Sequence, residues 1–281
     1  MAKVTGETNS TTEADYVLPR NEAERKRLNV QHVFLKTMVY DGKLIYDDSV
    51  ELGPGSAVLD IGTGSGSWLM DLAEEAPSSV ELYGCDVSSN NFPQSYHSNV
   101  HFFEASATQL PLEWTGKFDV VNQRMLLGAL RGEEWPIALS EIMRVLKPGG
   151  YAQFAELDLP NCIMAGPAVR QFRDLSFPFY EKLGLLIDAG QRIPRMAKEA
   201  GFVEINSEKK YGPAGKSWGK MGELGVLSNG GAVKNIGPAM VKVGVMTEEE
   251  FVQLYSNLLN EFETMEGTRY VYRMVCARKP L

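Results

Sequence analysis

The run Ala57-Val58-Leu59-Asp60-Ile61-Gly62-Thr63-Gly64-Ser65-Gly66-Ser67-Trp68-Leu69-Met70 constrains this chain more than any other stretch. It opens as a short apolar run, the pattern of a strand buried on both faces of a parallel sheet. Three alternate glycines follow. Beyond Gly66, Trp68, Leu69, Leu72 and Ala73 recur at helical spacing with polar residues between them. Strand, glycine turn and helix make the first half of a nucleotide-binding βαβ unit. Glycine lets the backbone approach a ligand closely, and a helix start offers free N–H groups.

The spacing selects the ligand. A dinucleotide fingerprint, G-x-G-x-x-G, would place its last glycine at position 67, but the chain has Ser67 there and its third glycine is Gly66. Asp60 stands two residues before the first glycine. A carboxylate there is a poor neighbour for a pyrophosphate. It suits a ligand that carries positive charge, such as an ammonium and a sulfonium. The pattern D-x-G-x-G-x-G resembles the first motif of the class I S-adenosylmethionine-dependent methyltransferases. That resemblance implies a cofactor site at Asp60, Gly62, Thr63, Gly64 and Gly66.

The chain has 281 residues, a formal net charge of −8 and a pI of about 5.1. The length suits one large α/β domain with insertions. The acidic balance comes without a basic stripe and argues against a nucleic-acid partner. Cys85, Cys162 and Cys276 form no metal-binding spacing and no disulfide framework. No metal is expected. Residues 1–14 are polar and lack the apolar core of a signal peptide. No window approaches the roughly 18 apolar residues of a membrane span. The expectation is a soluble, cytoplasmic protein with a disordered tail over residues 1–15.

Asn21 and Glu24 have the spacing of a capping box. The helix that follows carries Leu28, Gln31, His32, Leu35 and Val39 on one face, and Gly42 is expected to end it. Gln31 and His32 are either satisfied polar residues at a packing boundary or side chains reaching a ligand from a helical cap over residues 16–50. Tyr16, Tyr40 and Tyr46 could line the same pocket or serve as interfacial aromatics. Val80 to Asp86 reads as a second strand that ends in a carboxylate. Asp86 lies about twenty residues past the glycine turn, where an acidic residue can accept both hydroxyls of a ribose, and Val87 would then lie beside the base. Val100 to Glu104 reads as a third strand and Phe118 to Arg124 as a fourth. Ligands of open parallel sheets sit at the carboxyl ends of strands, so Gln123 and Arg124 face a ligand in this reading. For Arg124 an ion pair with a helix carboxylate is the alternative.

A helix over 133–146 stops at Lys147-Pro148-Gly149-Gly150, and 151–156 is the fifth strand. Residues 159–189 and 191–200 read as helices, and strand six begins at Phe202. Nine glycines lie between Gly212 and Gly244 with no regular period, the pattern of a mobile insertion over a substrate mouth. Thr247 and Glu250 start a last helix, and Arg269 to Arg278 is the final strand.

Several stretches sharpen the resemblance. Arg144-Val145-Leu146-Lys147-Pro148-Gly149-Gly150 resembles the R-x-L-K-P-G-G turn before strand five of class I methyltransferases. Ala105-Ser106-Ala107-Thr108-Gln109-Leu110-Pro111 resembles their G-D-A-x-x-L-P stretch, with Ser106 where an Asp bonds the adenine amino group. By that resemblance Ser106 and Ala107 join the cofactor site. Glu24, Arg27, Leu28, Gln31 and His32, with 110–114, 118–124 and 141–150, are similar to the fungal LaeA-like methyltransferases. The implied fold is a Rossmann-like, doubly wound, seven-stranded α/β sheet with strand seven antiparallel between five and six. The methyltransferase domain would span 51–281, with substrate-lid insertions about 159–190 and 212–264. The implied cofactor is S-adenosyl-L-methionine and the implied partner a small-molecule nucleophile. His32 is the candidate base, with Glu156 and Asp158 behind it, and Tyr40, Arg124 and Glu156 are candidate substrate contacts. A cofactor-binding regulatory protein and a non-methylating enzyme that uses the bound sulfonium are the alternatives.

Overall fold

A computed structural model describes residues 21–281. The expectations for the tail over 1–15 and for Tyr16 lie outside the described residues. The sheet contains β1 (Ala57–Ile61), β2 (Glu81–Asp86), β3 (Val100–Glu104), β4 (Phe118–Arg124), β5 (Leu146–Leu157), β6 (Val203–Pro213) and β7 (Arg269–Arg278). Their order is β3-β2-β1-β4-β5-β7-β6. The first five run parallel, and β7 is antiparallel between β5 and β6, as the resemblance implied.

Strand alternation divides the core between the two faces. Val58, Leu82, Val120 and Tyr151 pack on one face with Trp68 and Leu69. Those two belong to helix α2 (Ser67–Glu75). Leu59, Ile61, Val121 and Phe154 pack on the other face with Trp135, Leu139 and Ile142. These sit on α3 (Glu134–Val145). Both faces are covered, which is why the strands read as continuous apolar runs.

Two of the recognised motifs turn out to hold each other. The Arg144 guanidinium donates to the Leu110 carbonyl at 3.0 Å and to Glu141 at 2.6 Å. Glu141 in turn accepts from the Leu110 N–H at 2.7 Å. The Leu-Pro turn after β3 is thus stapled to the end of α3. The Lys-Pro-Gly-Gly run, expected as a turn, is the bulged start of β5: Leu146 pairs with Phe118, and the register then shifts.

Helix α1 (Glu22–Met38) is capped by Asn21, whose side chain accepts from the Glu24 N–H at 3.0 Å. The reciprocal half of the box is missing, because the Glu24 carboxylate turns inward to Arg27 and Asn235. The helix ends before Gly42, whose N–H reaches back to the Lys36 carbonyl at 2.8 Å. Phe34 and Leu35 are fully buried. Burial of a phenylalanine side chain is worth about 1.5–3 kcal/mol, so α1 is a packed element as well as a cover.

The remaining helices are α4 (Pro167–Lys182), α5 (Ala189–Glu199), α6 (Gly219–Gly225), α7 (Gly231–Lys242) and α8 (Glu248–Thr264). A π-helical turn, Val226–Gly230, joins α6 to α7. The glycine-rich stretch is therefore helical and not a mobile loop. A Cβ on Gly225 would run into the Pro213 carbonyl, one on Gly222 into the Gly215 carbonyl, and one on Gly237 into the Phe251 ring. Glycine here permits close approach. α8 starts at the expected capping box and packs on α4 and α7. Its Glu261 accepts from the Ala168 and Val169 N–H groups at 2.7 and 3.0 Å, so a carboxylate on one helix caps the start of another. Among the described residues no helix is long and apolar enough to cross a membrane.

Candidate active site

The strand order reverses between β1 and β4, and a cleft opens at the carboxyl ends of the strands there. Its empty volume, open mouth included, is about 1750 Å³. One end is walled by the glycine turn, the end of β2 and the turn after β3. Here the structure brings together Gly62, Thr63, Gly64, Asp86, Val87, Ser106, Ala107 and Arg124. The Asp86 carboxylate accepts from the Gly64 N–H at 3.0 Å, which ties the end of β2 to the turn. Ser106 closes a local turn, with its hydroxyl 2.8 Å from the Thr108 hydroxyl. Arg27, Leu28 and Gln31 reach this end from α1.

The other end is apolar. Met125, Leu126, Leu127 and Leu130 come from the loop after β4, Leu157 and Leu159 from the end of β5, and Tyr270 from β7. Phe172, Ser176 and Tyr180 line it at four-residue intervals along α4. Asn229, Val233 and Ile236 line it along the π-helical turn and α7. Phe172, Leu175, Phe179, Leu183 and Leu186 recur along this segment at helical spacing. Phe179 is core, but Phe172 faces the cleft together with Ser176 and Tyr180, which bring polar tips to it. That i, i+4, i+8 pattern was the signal available for it.

Six expected site residues do not line the cleft: His32, Tyr40, Asp60, Gly66, Gln123 and Glu156. Asp60 is sealed beneath the turn. It accepts from the Thr63 hydroxyl at 2.7 Å and from the Asn122 amide at 2.7 Å. Asn122 in turn accepts from the Tyr40 hydroxyl at 3.0 Å and from Gln153 at 2.8 Å. Asp60 therefore shapes the glycine turn through a buried, satisfied network rather than meeting a ligand's charge, and burial raises its pKa. Tyr40 belongs to the same network. Tyr46 is also elsewhere, with its hydroxyl on Glu208 at 2.9 Å. Gly66 is the cap residue of α2, at φ +71°, backed against the Phe102 ring. Gln123 points to the opposite sheet face from Asn122, and both its amide atoms are buried without a partner.

His32 is corrected as a base because both ring nitrogens are engaged. Nδ1 lies 3.0 Å from the Arg124 guanidinium and Nε2 lies 2.9 Å from the Asp71 carboxylate. A guanidinium only donates, so Nδ1 must accept and Nε2–H must donate, which fixes a neutral tautomer. Burial, with Arg124 beside it, lowers its pKa to about 4. His32 thus orients Arg124, the cation at the end of β4. Glu156 accepts from the Leu126 and Leu127 N–H groups at 2.7 and 3.2 Å. It braces the loop after β4, and burial pushes its carboxyl up to about 8 against the pull of those two donors. Asp158 is fully buried and bonded to Arg273 at 2.8 Å and Gln191 at 2.8 Å.

Known proteins show the same architecture. Residues 58–150 match the methyltransferase domain family. The chain is 30% identical over 280 residues to the N-methyltransferase gliN of Aspergillus fumigatus, covering 96% of this chain and 98% of that protein. It is 30% identical over 199 residues to the N-methyltransferase tcpN of Claviceps purpurea, covering 67% and 69%. It is 26% identical over 201 residues to the secondary metabolism regulator laeA of Aspergillus niger, covering 69% and 51%. Among solved structures, Haemonchus contortus phosphoethanolamine N-methyltransferase 2, bound to phosphomonomethylethanolamine and S-adenosylhomocysteine, superposes with a TM-score of 0.54 at 17% identity. That match covers 90% of this chain and 53% of that one, so the chain spans about half of that enzyme. The (4+2)-cyclase SpnF gives a TM-score of 0.51 at 21% identity, covering 91% and 81%. The chain belongs to the class I methyltransferases, with fungal N-methyltransferases among its relatives.

Proposed function

We infer that the protein transfers a methyl group from S-adenosyl-L-methionine to a neutral nucleophile, best a nitrogen, on a small and mainly apolar molecule. The residues at the polar end suit that cofactor. Asp86 offers a carboxylate to a ribose diol, Val87 and Ala107 offer apolar surface to a purine, and Arg124 offers a cation to a terminal carboxylate. When bound, the cofactor supplies an electrophilic methyl on a sulfonium whose leaving group is already activated. The protein's part is then to position the acceptor and exclude water. Glu156 holds the Leu126–Leu127 backbone against the junction of the two ends, and α4 and α7 close the apolar side.

The choice of acceptor rests on one observation. Among the described residues, no histidine, lysine, cysteine or glutamate lines the cleft. A phenol or alcohol would need a base to remove its proton, whereas a neutral amine would not. The relatives whose names say N-methyltransferase fit this acceptor. The relation to a regulator, laeA, supports a second reading in which the pocket serves partner assembly.

Incubation with methyl-labelled cofactor and a metabolite extract separates the two. Label on a nitrogen of a small molecule is expected, and cofactor binding without transfer would favour the regulator. Calorimetry should show binding of S-adenosylhomocysteine and negligible binding of NAD. Tighter binding of NAD would overturn the cofactor.

A further inference from the structure

Two tyrosines stand two residues apart on β7 and so point to the same side of the strand. Tyr272 is fully buried, and its hydroxyl donates to the Asn229 side-chain oxygen at 2.9 Å. Tyr270 is only 4% exposed and lines the apolar end of the cleft, and among the described residues its hydroxyl finds no hydrogen-bond partner. A hydroxyl that opens on a cleft without a protein partner is left for water or a ligand to pair. Two polar side chains on the same wall of the cleft are already committed. The Ser176 hydroxyl donates to the Phe172 carbonyl at 2.9 Å, and the Asn229 amide donates to the Gly225 carbonyl at 3.2 Å.

The chemistry of the partner follows. Burial pushes the Tyr270 phenol above its ordinary pKa, so it keeps its proton and acts as a donor. Its hydrogen needs an acceptor. A carboxylate would bring a charge into an apolar chamber. The cations on the cleft wall do not serve that end: Arg27 is paired with Glu24 at 2.7 Å, and Arg124 is held on His32 beside the glycine turn. A neutral carbonyl oxygen meets the requirement with no uncompensated charge.

We propose that the Tyr270 hydroxyl recognises the substrate by donating a hydrogen bond to a carbonyl oxygen of an uncharged, mainly apolar methyl acceptor lodged between α4 and α7. The proposal rests on the functional reading given above, and it adds what that reading lacks, a fixed point that sets the acceptor's orientation. It makes Tyr270 a substrate-binding residue and gives it no part in proton transfer.

The test uses a matched pair of probes, acetophenone and ethylbenzene, which differ in the carbonyl. Ligand-observed NMR on the full chain measures both affinities in the wild type and in Tyr270→Phe. The wild type should favour the ketone by roughly fivefold to tenfold, the size of one net hydrogen bond. Tyr270→Phe should bind the two alike. Its melting temperature should not fall, whereas Tyr272→Phe, which strands Asn229, should melt earlier. No preference in the wild type, an unchanged preference in Tyr270→Phe, or no binding of either probe overturns the proposal. Titration with S-adenosylhomocysteine is read separately. A wild-type chain that keeps the ketone preference but fails to bind that nucleoside supports this proposal and overturns the methyltransferase reading.

Discussion

Glycine does two different jobs at the two ends of the cleft. In the turn after β1, Gly62, Gly64 and Gly66 have φ of +67°, +54° and +71°, a region that side chains avoid. There the backbone conformation demands glycine, and buried polar groups hold that conformation. In the helices over the apolar end, Gly222, Gly225 and Gly237 have ordinary helical backbones, and neighbouring atoms occupy the space a Cβ would need. There the packing demands glycine. A glycine-rich sequence thus reports either conformational freedom or tight contact, and the two make opposite statements about mobility.

The largest expected effect tests the first job. Asp60→Ala strands the Thr63 hydroxyl and the Asn122 amide in the core and should lower stability by about 4 kcal/mol in urea unfolding without any ligand. A carboxylate that only met a ligand would leave the ligand-free protein untouched, so an unchanged urea midpoint would break the comparison at this end.

The next effect is a pH dependence at the same end. His32 titrates near 6.5 in an unfolded chain and at about 4 in the native one. Below 6.5 the unfolded chain therefore binds a proton that the native chain refuses. The associated stability is complete above pH 6.5 and is lost as pH falls towards 4, by about 3 kcal/mol across that window. His32→Gln should flatten this segment of the stability-against-pH curve. A mutant curve with the wild-type slope would show that His32 is accessible to protons in the native state.

Gly225→Ala addresses the second job. Alanine favours a helix over glycine by about 1 kcal/mol, so in a mobile or loosely packed helix it would be neutral or stabilising. Against the Pro213 carbonyl it should instead cost about 2 kcal/mol net, read as a lower melting temperature. A rise would mean that the helix stands clear of β6.

The smallest stability effect sharpens the contrast between holding the turn and holding a ligand. Asp86→Ala removes the acceptor of the Gly64 N–H and should cost about 1 kcal/mol in the ligand-free protein. Its affinity for S-adenosylhomocysteine should fall by about 1.5–3 kcal/mol in calorimetry. A loss of stability with full affinity would leave Asp86 as a brace for the turn alone.

Much of the polar end was legible in the sequence. Strand, turn and helix follow one another within a few residues, and the conformations at Gly62 and Gly64 are local properties. Asp86 could be placed because β2 leads straight back to the edge where β1 ended. The seven-strand order was legible through motif resemblance, since no local pattern says that β7 inserts between β5 and β6. His32, Asp60 and Glu156 were expected at the ligand and instead bond to the protein, for a common reason. Each is a polar residue beside a functional segment, and sequence spacing cannot say whether such a side chain faces the ligand or the protein behind it.

Residue order along the chain determined the βαβ start, the caps at Asn21 and Thr247, and the apolar faces that cover both sides of the sheet. These depend on neighbours within about one helical turn or one strand, where the backbone's own periodicity fixes which side chains meet. Only the tertiary structure decided that the glycine-rich stretch is packed helix, that both ring nitrogens of His32 are engaged, by Arg124 and Asp71, and that Tyr272 is bonded to Asn229 while the Tyr270 hydroxyl finds no partner among the described residues. Each of those depends on a partner far away in the chain: Pro213 for Gly225 through a reversal of direction, Arg124 for His32, and Asn229 for Tyr272. Hydrogen bonding and close packing act over a few ångströms of space regardless of sequence separation, so their outcome is set only when the fold brings the partners together.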